Sequence, residues 1–148
     1  RDGLNIGLVK LPRNQQYDTF HLTFAGAYHD LYIKTPVDDF KVIKAERMPI
    51  AFHEKMTDFK NHTVQVRSGD SLYMFTDGIT DQFNGRTNKK LTTKGFLQWL
   101  FDSSKHVKME EQKRDVEVKL NRWMLDDSGT ISEQIDDITI LAVRLKSK

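Results

Sequence analysis

The sequence contains no cysteine, which excludes a disulfide framework, a thiolate metal site and a thiol nucleophile. No apolar run approaches the roughly 18 residues that a membrane-crossing helix needs, so no membrane segment is expected. Neither sign of charge predominates: 23 Lys and Arg against 21 Asp and Glu leave a net +2. That balance offers little attraction for nucleic acid or an anionic membrane, and the short basic run Lys89-Lys90 reads as a solvated face. The five histidines are scattered, with no pair at i, i+4 and no His-Glu-x-x-His. A Gly-x-Ser-x-Gly elbow and a Gly-rich phosphate loop are absent too. What is present is 38% hydrophobic and 30% charged residues in 148, the balance of one soluble globular domain with a core.

The N-terminal half reads as a series of short strands: 5–11, 19–25, 31–34, 40–45, 63–66 and 71–76. In the second, Phe20, Leu22 and Phe24 share one face while Thr19, His21 and Thr23 share the other. Pro12 to Gln16 reads as a polar turn. Residues 46–61 show no sustained period and read as a loop packed by Met48, Ile50, Phe52 and Phe59. Two helices follow. Phe96, Leu97, Leu100 and Phe101 fall on one helical face, with Thr92 or Thr93 as N-cap. A second helix over 108–125 carries Met109, Val116, Leu120, Trp123 and Met124 on a stripe, and Asp126 to Gly129 stop it. A last strand covers 138–145. Strands, then helices, then a strand is the order of an α+β fold.

The chemistry concentrates in carboxylates at strand ends. Asp77-Gly78 follows the apolar strand 71–76, Asp81 lies four residues on and would return to the same side through a helical turn, and Asp136-Asp137 precedes the final strand. Taken separately, Asp77-Gly78 also reads as a type I′ turn and Asp136-Asp137 as a polar turn before an edge strand. Taken together, and without cysteine or organised histidine, they suit a hard, oxygen-seeking cation.

Two longer stretches, Ser68-Gly69-Asp70-Ser71-Leu72-Tyr73-Met74-Phe75-Thr76-Asp77-Gly78-Ile79-Thr80-Asp81 and Gln134-Ile135-Asp136-Asp137-Ile138-Thr139-Ile140-Leu141, resemble the metal-dependent protein phosphatase (PPM) family, in its bacterial SpoIIE-like branch. Ala25-Gly26-Ala27 and Met48-Pro49-Ile50 are similar to further family segments, so the resemblance runs from Asp2 to Leu145. It implies a partial PPM-type fold: antiparallel β-sandwich strands with two helices packed on one sheet. By the same resemblance Asp77 and Asp136 are metal ligands, Asp81 serves an additional metal, and Gly78 and Asp137 support them from behind. The implied cofactors are two Mn²⁺ or Mg²⁺ ions, and the implied reaction is metal-assisted hydrolysis of phosphoserine or phosphothreonine.

One departure qualifies this. The family's early Gly-Asp-x-x-Gly-His-like motif, which supplies an aspartate bridging both metals, has no counterpart, and the sequence opens almost at once on a strand without an initiator Met or a signal-peptide pattern. Residues 1–148 are therefore expected to be the C-terminal portion of a phosphatase domain, inactive alone. The resemblance further implies a phosphorylated protein substrate of the anti-sigma antagonist type, attached sensor or receiver domains, and a cytoplasmic location or the cytoplasmic part of a membrane-anchored sensor. A non-catalytic regulatory or protein-binding module that keeps the fold is the alternative.

Overall fold

The computed structural model describes residues 3–12, 18–51 and 57–146. They form two compact units, one of residues up to 74 with 141 onward, the other of residues 75–140.

The first unit holds seven strands: β1 (Ile6–Lys10), β2 (Thr19–Ala27), β3 (Leu31–Lys34), β4 (Phe40–Ile43), β5 (His62–Arg67), β6 (Ser71–Phe75) and β7 (Ile140–Arg144), of which β6 and β7 run one residue into the second. They make two sheets, ordered β1-β2-β5 and β4-β3-β6-β7. β1 pairs with β2, β2 with β5, β3 with β4 and β3 with β6, all antiparallel. Alternation governs which side chains go inside. Phe20, Leu22 and Phe24 of β2 and Val64 and Val66 of β5 are buried, and they join Leu31 and Ile33 of β3 and Leu72 of β6 in one core. At about 1.5–3 kcal/mol for each large apolar side chain taken from water, this shared core is what holds the sheets face to face. The turn from β5 to β6 needs Gly69, at φ +93°, because an L side chain there would be strained. Asp70 Oδ2 closes the turn by accepting the Arg67 N–H at 2.8 Å.

Asp30 is a buried charged residue of this unit, as are Lys34 and Asp70. Its carboxylate accepts from Arg47 Nη2 (2.8 Å), Lys44 Nζ (2.9 Å) and the Ala45 N–H (2.9 Å). Burial pushes its pKa up, but these three donors outweigh burial and hold it below the usual carboxylate value.

The second unit holds three helices, α1 (Asp77–Asp81), α2 (Thr92–Ser103) and α3 (Met109–Met124). Aromatic edges knit it: Phe75 meets Phe96 at 4.8 Å between centroids and Trp99 meets Trp123 at 5.8 Å, both edge-on. Phe96, Leu100, Val116 and Met124 are buried and Leu97, Leu120 and Trp123 half-buried, as the stripes require. Phe101 departs from that reading. It is 44% exposed, at the edge of the apolar face, and the inward position belongs to Ser103, about one turn on from buried Leu100. Ser103, fully buried, donates to Asp115 Oδ2 (2.6 Å) and accepts from Lys119 Nζ (3.0 Å). That hydroxyl, followed by the Lys119 ammonium, holds the Asp115 carboxyl below its ordinary value.

Other boundaries shift by a residue or two. β2 runs on to Ala27, β4 stops at Ile43 and β7 starts at Ile140. At the start of α2, Leu91 occupies the N-cap position without a side-chain bond, while Thr92 Oγ1 accepts the Gly95 N–H at 3.4 Å. Met48 is buried as expected. Ile50 departs from that reading: its side chain is 46% exposed, while its backbone pairs with Leu4. Phe52 and residues 13–16 of the expected polar turn lie outside the described residues.

Candidate metal centre

The site is built from the end of β6 and the segment before β7, which meet inside the second unit. The Thr76 N–H donates to the Thr139 carbonyl (3.0 Å), the Thr139 N–H donates to Thr76 Oγ1 (2.9 Å), and Thr76 Oγ1 donates to the Asp137 carbonyl (2.8 Å). Thr76 is the N-cap of α1, yet its hydroxyl makes no capping bond because it is committed to this clasp. The next residue but one continues the contact. A methyl placed on Gly78 would fall 2.4 Å from the Asp137 carbonyl oxygen and 3.1 Å from that of Asp136. Only glycine lets the two segments approach so closely. Asp77-Gly78 and Asp136-Asp137, far apart in sequence, thus lie backbone to backbone.

Asp77, Asp136 and Asp137 are exposed, and among the described residues none forms an ion pair. Asp136 Oδ1 accepts the Asp137 N–H at 2.7 Å, which orients that carboxylate. Asp81 closes α1, and its Oδ2 lies 3.1 Å from Lys90 Nζ, with both side chains about half exposed. The helical turn through 77–81 that would bring Asp81 to the side of Asp77 is present as α1.

The donors are carboxylates and main-chain carbonyls, which suit a hard divalent cation. Their number is short of a shell: no group of three or more His, Cys, Asp or Glu close enough to hold a metal occurs among the described residues. Asp77, Asp136 and Asp81 have the donor chemistry that such an ion takes, without forming a group of three among the described residues.

Three positioning groups were not singled out in the sequence. Thr76 had a signal, since a threonine before Asp-Gly at a strand end is placed to bond across. Gln82 had none. It is fully buried, its Nε2 donates to the Glu133 carbonyl (3.0 Å), and its main-chain carbonyl accepts from Trp123 Nε1 (3.1 Å). Gln82 thereby ties the segment leading into Asp136 to the end of α1 and to α3. Lys90 was read as solvated face, but the antiparallel bridge of Phe83 with Lys90 carries it back to Asp81.

Comparisons with known proteins bear on the family and the fold. The family model described as Stage II sporulation protein E (SpoIIE) matches residues 14–146. The chain belongs to the SpoIIE family. Among solved structures, the SiaA-PP2C domain of Pseudomonas aeruginosa is similar at 27% identity and a TM-score of 0.74, over 96% of this chain and 52% of that one. The phosphatase domain of the cell fate determinant SpoIIE from Bacillus subtilis is similar at 18% identity and a TM-score of 0.58, over 96% of this chain and 58% of that one. A Mn-presoaked form of the same domain gives 18% identity and a TM-score of 0.54, over 96% and 56%. A search of curated proteins found no match. The SpoIIE-family chain described here thus spans a little over half the length of the solved domains it resembles, and its mixed α and β architecture with antiparallel sheets is that of part of a PP2C-type phosphatase domain.

Proposed function

We propose that this chain is the C-terminal portion of a metal-dependent serine/threonine phosphoprotein phosphatase domain, with Asp77 and Asp136 holding divalent cations, Mn²⁺ or Mg²⁺, and Asp81 serving an additional one. The observation that carries the reading is the abutment of Asp77-Gly78 on Asp136-Asp137. Like charges brought together raise one another's free energy, so packing alone supplies no reason for this meeting of two acidic pairs. Bound divalent ions would supply a water of lowered pKa and charge neutralisation for a phosphoryl group.

The chain's own residues do the positioning. Thr76 clamps the Asp137 carbonyl and the Thr139 N–H, so Asp77 and Asp136 stay at one end of their strands. Gly78 allows the approach and Asp137 forms the wall behind it. Gln82 fixes Glu133 and so the entry into Asp136. Lys90 balances the Asp81 carboxylate and must give way for that group to meet a cation.

The substrate we infer is phosphoserine or phosphothreonine on a regulatory protein, of the anti-sigma antagonist type, in a cytoplasmic signalling chain with sensor or receiver domains. Residues 1–148 alone are proposed to turn over poorly, because the motif that supplies a bridging aspartate in the family does not occur in them. One observation favours the second reading, a non-catalytic module: no three acidic or histidine side chains gather among the described residues.

Mn²⁺ binding to the chain, followed by electron paramagnetic resonance, separates the two. Weak saturable binding that falls about tenfold or more in both Asp77→Asn and Asp136→Asn is expected, since ligand loss costs at least as much as loss of a supporting group. Binding unchanged in both variants refutes the metal-site reading. In parallel, a phosphoserine peptide should be hydrolysed far more slowly by this chain than by the whole SiaA-PP2C domain.

A further inference from the structure

Asp81 already faces a cation. Its Oδ2 lies 3.1 Å from Lys90 Nζ, and the side chains of Asp81 and Lys90 are 51% and 48% exposed. A backbone hairpin makes the meeting. The Leu91 N–H donates to the Gln82 carbonyl (3.1 Å) and the Asn84 N–H to the Lys89 carbonyl (2.9 Å), so Lys90 stands opposite Phe83 between two backbone bonds. The ammonium also lies 5.9 Å from the centre of the Phe83 ring, within reach of the ring's negative face. The hairpin is fastened in turn to the end of α3, because the Gly85 N–H and Asn84 Nδ2 both donate to the Trp123 carbonyl, at 2.9 and 3.0 Å. All of these residues belong to the second unit. Lys90 is thus delivered to Asp81 by fixed backbone, and its flexible four-carbon stem is the part that can move away.

A compact ammonium on a carboxylate oxygen is a monovalent stand-in for a metal ion. We propose that Lys90 is a tethered competitor for the cation position at Asp81, setting the divalent-ion concentration at which that position fills. This rests on the reading of Asp81 as a ligand of an additional cation, and it gives that position a regulator within the chain itself. Exposure sets the strength of the competition. An ion pair half open to water is weak and screened by salt, so Lys90 raises a threshold without closing the site. A ligand group that is paired part of the time binds in proportion to its free fraction. For an exposed pair of ordinary strength the apparent affinity is lowered about two- to fivefold.

Mn²⁺ titration of the 148-residue chain, followed by electron paramagnetic resonance, tests this. Lys90→Met keeps an unbranched stem and removes the charge, and it should tighten Mn²⁺ binding about two- to fivefold. Lys89→Met removes the same charge from the neighbouring exposed residue and should change binding clearly less. In an Asp81→Asn background, Lys90→Met should have no effect. Near-ultraviolet circular dichroism of Trp99 and Trp123 checks that the variants stay folded. Equal effects of Lys89→Met and Lys90→Met overturn the proposal in favour of overall charge alone, as does a Lys90 effect that survives Asp81→Asn. If Lys90→Met leaves binding unchanged while Asp77→Asn and Asp136→Asn still weaken it, the metal-site reading stands and the competitor alone falls. Absence of Mn²⁺ binding in both wild type and Lys90→Met overturns the two together.

Discussion

Gly78→Ala is the most direct probe of how the acidic segments are held together. The added methyl would lie 2.4 Å from the Asp137 carbonyl oxygen, 2.9 Å from its carbon and 3.1 Å from the Asp136 oxygen. Every one of these is a backbone atom, so no side chain can swing aside. Ordinary van der Waals contact begins near 3.4 Å, and relief requires the segment to retreat by roughly 1 Å. Overpacking of this kind costs about 1–3 kcal/mol. Alanine in a helix would return up to about 1 kcal/mol, but α1 has five residues and little of that gain is realised. A net loss of about 1–2 kcal/mol follows, or about 2–8 °C in the melting temperature of a chain this size. Urea unfolding followed by the fluorescence of Trp99 and Trp123, both in the same unit as Gly78, reads it as a lower midpoint at unchanged slope. The retreat also stretches the bond from Thr76 Oγ1 to Asp137, so amide exchange at Thr139 should quicken. A midpoint equal to wild type or higher would refute the close approach and, with it, the physical support for a shared acidic site.

Three further outcomes are expected. Asp30→Asn should destabilise by about 2–3 kcal/mol at pH 7, since it removes a buried charge from three donors whose cationic members are themselves half exposed. Because the folded pKa of Asp30 lies below its unfolded value near 3.8, its contribution is full above that pH and is lost as pH falls towards the folded value; stability of Asp30→Asn measured between pH 6 and 3 should therefore fall less steeply than wild type. Ser103→Ala should raise the Asp115 pKa towards 3.8, read by carboxyl NMR titration, and an unmoved pKa would show that Lys119 alone sets it. Gln82→Leu should cost about 1–3 kcal/mol by stranding the Glu133 carbonyl, and should weaken Mn²⁺ binding in the same preparation through the loosened entry to Asp136.

Local pattern carried most of the fold. Alternation of Phe20, Leu22 and Phe24 against His21, and the 3.6-residue stripe of Val116, Leu120 and Trp123, depend only on side-chain period and chain geometry, so their faces were legible without coordinates. Phe101 was legible to the wrong side, because a helix has room for only so wide a buried face and Ser103 with Asp115 and Lys119 took the inward place. The acidic residues themselves could be read as well: Asp77, Asp81, Asp136 and Asp137 stand out by type and by position at strand ends.

Their juxtaposition followed only from the family resemblance that makes Asp77 and Asp136 metal ligands; side-chain period alone does not give it. It depends on which strand lies beside which, and pairing across some sixty residues is chosen by the whole set of buried faces and closures rather than by any local preference. The same holds for Lys90 on Asp81, for Gln82 reaching Glu133 and for the outermost places of β1 and β7 in their sheets. The amino-acid order determined the elements, their inward faces and the chemistry available to the site. Tertiary structure decided which groups meet, because a hydrogen bond of 2.8 Å or a backbone approach as close as that at Gly78 is a property of two segments and is encoded in neither alone.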